Sequence, residues 1–104
     1  MVQEIIWSAE AKSNLAEIKK HIETDSLFYA ERVVRQIYEK ATILHKHPEY
    51  GMIVLVYEQL TLRRLLYKSY RIIYFIRNEV AYVVAVFHHA RQLPATFQTD
   101  NLFQ

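Results

Sequence analysis

The sequence contains no cysteine, only one glycine and only two prolines in 104 residues. The absence of cysteine excludes a disulfide framework, a thiolate zinc site and a cysteine nucleophile. The scarcity of glycine excludes the glycine-rich loops that hold phosphates or dinucleotides. No apolar run approaches the ~18 residues that a membrane-spanning helix needs. The longest such run, Val80–Phe87, has the length of a strand.

Apolar and aromatic residues are abundant instead, at 52% and 13% of the chain. In a chain of this length, such a composition predicts a single domain over residues 1–104 with one small core. The N-terminal residues lack a basic region followed by a long apolar stretch, so no signal peptide is expected. A cytoplasmic location suits a chain without cysteine or a membrane segment.

Positive charge is concentrated in the second half of the chain. Residues 1–60 hold seven basic and nine acidic residues, whereas residues 61–104 hold six basic and two acidic ones. The basic residues of the second half are Arg63, Arg64, Lys68, Arg71, Arg77 and Arg91. This asymmetry indicates an acidic or polyanionic partner for the second half, although uneven scattering of charge explains it equally well.

The first half of the sequence predicts a strand followed by two helices. Val2–Trp7 is β-branched and aromatic, and Ser8 offers an N-cap for a helix with an apolar stripe at steps of three and four. The break Thr24–Ser26 separates this helix from a second apolar stripe, which reaches Leu44. A link this short predicts an antiparallel helix hairpin.

The second half changes to the pattern of strands. Pro48 ends the helical region, and Gly51 permits a turn. The runs 61–67, 70–77 and 80–89 are rich in β-branched and aromatic residues and are separated by two-residue links, which is typical of hairpins. The predicted fold class is α+β, in the order β-α-α-β-β-β. The helix hairpin is expected to pack on one face of a small, mainly antiparallel four-stranded sheet.

Two-residue turns also predict which side chains share a face of the sheet. They place Arg71 opposite Val86 and Arg64 opposite Ile73, so that Arg64, Arg71 and His88 lie on one open face. Arginines beside a histidine suit binding of phosphates or of an acidic protein segment, and a merely solvated surface is the plainer explanation. Since a slip of one residue would regroup these side chains, finding Arg71 and His88 on opposite faces would contradict the assignment.

Four segments, taken in order, resemble the RelE/ParE superfamily of bacterial type II toxins, whose members are also called plasmid stabilisation proteins. They are Trp7-Ser8 before the first helix, the corner Pro48–Gly51, the run Tyr70–Tyr74 and the run Val86–Arg91. The resemblance covers nearly the whole chain. It implies the predicted order of elements and a cognate antitoxin that wraps the toxin.

Within this superfamily, the sequence looks more similar to the ParE-like toxins, which inhibit DNA gyrase. The ending from His88 to Arg91, followed by Leu93-Pro94, looks ParE-like, and the C-terminal tyrosine of RelE-like toxins is missing after Arg91. The resemblance then implies that the basic residues contact the target protein. These residues are Arg63, Arg64, Lys68, Arg71 and Arg91.

The alternative is a RelE-like endoribonuclease (an mRNA interferase) that cuts mRNA on the ribosome. Arg71, His88 and Arg91 would then be the catalytic residues, because such cleavage needs a proton-transfer group and positive charge around the phosphate. A second alternative is a toxin-fold protein that is harmless and only binds a partner. No metal or cofactor is expected in any of these cases, and the role of residues 95–104 stays open.

Overall fold

The computed structural model describes residues 1–88, to which the structural statements below refer. The elements in chain order are strand β1, helices α1 and α2, a 3₁₀ turn at Thr42–His45, and strands β2 to β5. Their bounds are Glu4–Trp7 for β1, Ala9–Glu23 for α1, Leu27–Ala41 for α2, Met52–Tyr57 for β2, Leu60–Tyr67 for β3, Tyr70–Arg77 for β4 and Val80–His88 for β5. The predicted α+β fold class is confirmed.

The strands form one sheet in the order β1-β5-β4-β3-β2. β1 runs parallel to β5, and the other neighbours are antiparallel. The sheet has five strands instead of the predicted four, because Met52–Tyr57 forms an additional edge strand. The second helix ends at Ala41, and the predicted apolar stripe continues to Leu44 through the 3₁₀ turn.

Ser8 starts α1 and ties it to the middle of the sheet. Its hydroxyl oxygen accepts a hydrogen bond from the Ala11 N–H at 3.0 Å and donates one to the Val84 carbonyl at 3.1 Å. The Ser8 N–H donates to the Val83 carbonyl at 2.9 Å. This serine is therefore the predicted N-cap, and it also fixes the start of α1 to β5 through two hydrogen bonds.

The helix hairpin covers one face of the sheet, as the sequence predicts. Its buried residues face the strands and form the main core with them. The fully or almost fully buried members include Leu15, Val33, Ile37, Leu44, Leu65, Ile72, Tyr74 and Val83. None of the helices within residues 1–88 is long and apolar enough to span a membrane.

The opposite face of the sheet, called the outer face here, carries a second buried cluster. Its members are Leu62, Ile73, Phe75, Val84, Ala85 and Phe87, each exposed by 7% or less. Phe75 is stacked on Tyr82 with ring centroids 5.0 Å apart. The outer face is therefore apolar and buried at its centre, whereas the sequence suggested a face open to solvent.

A β-bulge in β5 decides which side chains share a face. Tyr74 pairs with Val83, but the preceding Ile73 pairs with Ala85, so Val84 is an extra residue in β5. The turn at residues 78–79 has two residues, as predicted, yet beyond the bulge the register is shifted by one.

This shift makes the predicted pairing of Arg71 with Val86 wrong. Arg71 instead lies opposite Phe87, and His88 lies opposite Tyr70. Because neighbouring residues of a strand point to opposite faces, Arg71 and His88 are on different sides of the sheet. The predicted pairing of Arg64 with Ile73 is confirmed.

Candidate functional site

Arg63 belongs to a rigid corner of the chain at residues 48–51. Its guanidinium donates hydrogen bonds to the Gly51 carbonyl at 2.9 Å and to the Glu49 carbonyl at 3.2 Å. The hydroxyl of Tyr74 donates to the Pro48 carbonyl at 2.8 Å and accepts from the Gly51 N–H at 2.9 Å. Among the predicted contact residues, Arg63 thus has a structural role on the helix side of the sheet.

Glycine is required at position 51 because the corner has no space for a side chain. A Cβ at this position would lie 2.6 Å from both the Arg64 carbonyl oxygen and the Tyr74 hydroxyl. Gly51 does not have a positive φ, so the lack of space for a side chain, and not a left-handed backbone, requires glycine at this position.

Arg64 and Arg71 lie diagonally across β3 and β4 on the outer face. Arg64 pairs with Ile73, and Leu66 pairs with Arg71, so Leu66 separates the two arginines. Leu66 is 47% exposed, and the neighbouring Met52 is 63% exposed. We call Arg64, Arg71, Leu66 and Met52 the arginine patch.

Each arginine of this patch has one guanidinium nitrogen that lies close to the rest of the protein. An Nη atom of Arg64 lies 3.7 Å from the Met52 sulfur, and the Nε atom of Arg71 is buried. Both side chains are partly exposed. Guanidinium groups beside exposed apolar side chains match the composition of protein–protein interfaces, in which arginine and methionine are enriched.

Lys68 lies at the tip of the β3–β4 hairpin and leans towards the helices. Its Nζ atom is 5.9 Å from the ring centroid of Tyr29 in α2 and 5.6 Å from that of Tyr67. The hydroxyl of Tyr67 in turn donates a hydrogen bond to the Gln36 side chain. Lys68 therefore docks the hairpin tip against α2 through cation–π contacts and is not part of the arginine patch.

His88 borders a cleft of about 330 Å³ between α1 and the end of β5. Its ring meets the Tyr70 ring edge-on at a centroid distance of 5.7 Å. The other polar side chains around the cleft are Asn14, Glu17 and His21. The sequence analysis did not identify this group, although the helical spacing of Asn14, Glu17 and His21 places them on one side of α1.

Two tyrosines near these sites, Tyr70 and Tyr74, have a raised pKa. Burial raises the pKa of Tyr70, and the neighbouring Tyr29 raises it further. Burial also raises the pKa of Tyr74, which the hydrogen bond from the Gly51 N–H and the charge of Arg63 partly offset. Because the folded-state pKa values exceed the ordinary 10.0, these groups favour the folded chain below about pH 10, and this contribution is lost at higher pH.

The predicted site residues consequently separate into four places. Arg64 and Arg71 share the outer face, Arg63 supports the corner, Lys68 contacts α2, and His88 borders the cleft beside α1. Arg91 and residues 95–104 lie outside the described residues. Within residues 1–88, no cluster of three or more His, Asp or Glu side chains is arranged to hold a metal ion.

The chain is a small α+β protein, and one solved structure shares its fold. The chain superimposes with a TM-score of 0.67 on a chain from "Chromosomal ParDE TA system from P. aeruginosa", at 14% sequence identity. The match covers 85% of this chain and 96% of the other. At this identity, the similarity establishes the shared fold.

Sequence comparison establishes the family. The model of the family described as ParE toxin of type II toxin-antitoxin system, parDE, matches residues 5–93. The chain therefore belongs to the ParE toxin family of type II toxin–antitoxin systems, as its motifs suggested. No curated protein sequence matches the chain.

Proposed function

We propose that this protein arrests growth by binding and inhibiting DNA gyrase, and that a cognate antitoxin neutralises it. Membership of the ParE toxin family supports the toxin role and the antitoxin partner. The gyrase target rests on the ParE-like ending of the sequence and on the arrangement of the candidate residues.

The separation of Arg71 from His88 is the observation that most favours gyrase inhibition over mRNA cleavage. A ribonuclease site needs a proton-transfer group and a positively charged group around the same phosphate. Arg71 and His88 lie on opposite faces of the sheet, so they cannot serve one phosphate together. Arginine as a contact residue, by contrast, needs no histidine beside it.

The arginine patch has the chemistry to recognise an acidic protein surface. Guanidinium groups bind carboxylates in a bidentate manner, and the exposed Leu66 and Met52 add apolar contact area. The patch therefore supports a protein–protein contact with gyrase in which Arg64 and Arg71 pair with carboxylates.

Charge reversal in the patch tests this proposal. We expect Arg64→Glu to weaken inhibition of gyrase supercoiling by about 10-fold to 100-fold, because a charge-assisted hydrogen bond is replaced by repulsion. The concentration that gives half-maximal inhibition is measured with purified full-length protein. Arg71→Gln, which removes the charge and leaves a shorter polar side chain, is expected to act in the same direction.

Arg32→Glu is the matched control, because Arg32 is an exposed arginine of α2, away from the outer face. It makes the same change in net charge and is expected to leave the inhibitory concentration within about twofold. Equal potency for Arg64→Glu, Arg71→Gln and the wild type would show that the arginine patch does not contact gyrase.

A further inference from the structure

Strand β2 is an uncharged apolar strand at the edge of the sheet. All six residues, Met52–Tyr57, are apolar or aromatic, and β2 pairs only with β3 among the described residues. Five of the six side chains are 43–63% exposed. Edge strands of soluble proteins usually carry charges or proline that discourage further pairing, and β2 has neither.

The other edge of the sheet is the short strand β1. β1 has only four residues, and beyond its end the Asn14 side chain of α1 accepts the hydrogen bond of the Val86 N–H at 2.9 Å. The backbone of β5 is thus satisfied where β1 stops. Of the two edge strands, β2 is the longer, with six residues against four, and it lacks the charged residue that Glu4 provides in β1.

A bulge in β2 gives its side chains a symmetric pattern. Ile53 pairs with Arg63, but Leu55 pairs with Leu62, so Val54 is an extra residue. Met52, Val54, Leu55 and Tyr57 consequently lie on the outer face, whereas Ile53 and Val56 lie on the helix side. Read in either direction, the strand presents the same order of faces.

Such a strand is complementary to a second copy of itself. A twofold axis between Val54 and Leu55 pairs Met52 with Tyr57 and Ile53 with Val56 of the other copy. Every pair then joins two side chains on the same face, as antiparallel pairing requires. A shift by one residue would place outer side chains against helix-side ones.

The charges that flank β2 are complementary under the same symmetry. The Arg64 side chain extends from β3 to Met52 on the edge strand, with its Nη atom 3.7 Å from the sulfur. The residue opposite Met52 would be Tyr57 of the second copy, and Glu58 follows it at the turn. Arg64 of each copy would therefore meet an aromatic ring and a carboxylate of the other, twice per dimer, so that self-association and the proposed gyrase contact compete for Arg64.

We infer that β2 is a self-association surface, through which two copies of this chain form one continuous ten-stranded sheet. The contact surface is smaller than the ~800 Å² per partner of a standard stable interface, since it consists mainly of one six-residue strand. The dimer is therefore concentration-dependent, and salt weakens the paired Arg64 and Glu58 contacts.

Single cysteines test the register, because the chain has no cysteine of its own. In the inferred dimer, residue 55 lies about 6 Å from its symmetry mate, within the range of a disulfide. Residue 52 lies about 17 Å from its mate. We expect purified Leu55→Cys to form a disulfide-linked dimer under mild oxidation, and Met52→Cys on the same strand to remain uncrosslinked.

Sedimentation over a concentration series tests the surface without cysteine. Ile53→Lys places a charge opposite Val56 of the other copy and is expected to raise the dimer dissociation constant by at least about tenfold. Phe28→Lys, at a 75% exposed position of α2, is the control and leaves association unchanged. Circular dichroism checks that each variant is folded.

Three results would overturn the inference. The wild-type chain remains a monomer at every concentration, Met52→Cys crosslinks as well as Leu55→Cys, or Ile53→Lys dimerises like the wild type. In the first case the edge belongs to a different partner, and in the other two the dimer uses another register or another surface.

Discussion

Gly51→Ala is expected to destabilise the protein by about 3 kcal/mol or more, because the corner has no space for an added methyl group. The new Cβ would lie 2.6 Å from a backbone oxygen, that of Arg64, which cannot rotate away as a side chain could. It would also displace the Tyr74 hydroxyl from its hydrogen bonds with the corner. Thermal unfolding should show a loss of roughly 12–20 °C in Tm.

Tyr74→Phe separates the two causes of this loss. It removes the hydroxyl and leaves the Gly51 N–H and the Pro48 carbonyl without that partner, at a cost of about 1–3 kcal/mol. The double variant should cost less than the sum of the single ones, because the hydroxyl no longer clashes with the new methyl group, whereas the clash with the ring carbon Cε1 at 2.7 Å remains. A Tm for Gly51→Ala within about 2 °C of the wild type would contradict the tight packing of the corner.

Phe75→Ala is expected to cost about 3–5 kcal/mol, as much as a truncation in the main core. Phe75 is 0% exposed, and it stacks on Tyr82 in the cluster on the outer face. If this face were a solvated surface, as the distribution of arginines suggested, the same substitution would cost little. Denaturant unfolding measures the difference.

Phe28→Ala provides the comparison for this second prediction. It removes the same atoms from a residue that is 75% exposed, and the free energy of unfolding should change by less than about 0.5 kcal/mol. A cost below about 1 kcal/mol for Phe75→Ala would show that the outer cluster does not contribute to stability.

The helices and the three long strands follow from local signals in the sequence. Ser8 and Ser26 both accept a hydrogen bond from an N–H of the first helical turn, as N-caps do. The hairpin turns lack glycine, and Glu58, Lys68, Asn78 and Glu79 adopt positive φ instead. The turns at residues 68–69 and 78–79 could still be located, because two residues between two strand-like runs are typical of a hairpin.

Strand β2 was missed because it lacks a readable period. All six of its residues are apolar or aromatic, so they do not alternate with polar ones, even though both faces of the strand are partly exposed. A short continuous apolar run is ambiguous between a strand, a helix segment and a loop. The pairing with β3, which resolves the ambiguity, is a long-range property.

The sequence named candidate residues for the site but did not predict which of them lie together. Alternation placed Arg64 correctly, but the extra residue Val84 moved His88 to the other face, and no local pattern marks a bulge of this kind. Arg63 carries the same charge as Arg64, yet its role follows from the corner that it contacts. Which arginines lie on the outer face therefore depends on the strand register, and no local pattern in the sequence fixes that register.

The most direct test of the account is a paired assay of the purified, antitoxin-free protein. DNA supercoiling by gyrase, with trapping of cleavage complexes, is measured beside the integrity of mRNA in a translating extract. The account predicts inhibited supercoiling and intact mRNA. Codon-positioned cuts in mRNA with normal supercoiling would contradict it and favour the RelE-like alternative, and a protein that is inert in both assays would contradict a toxic function altogether.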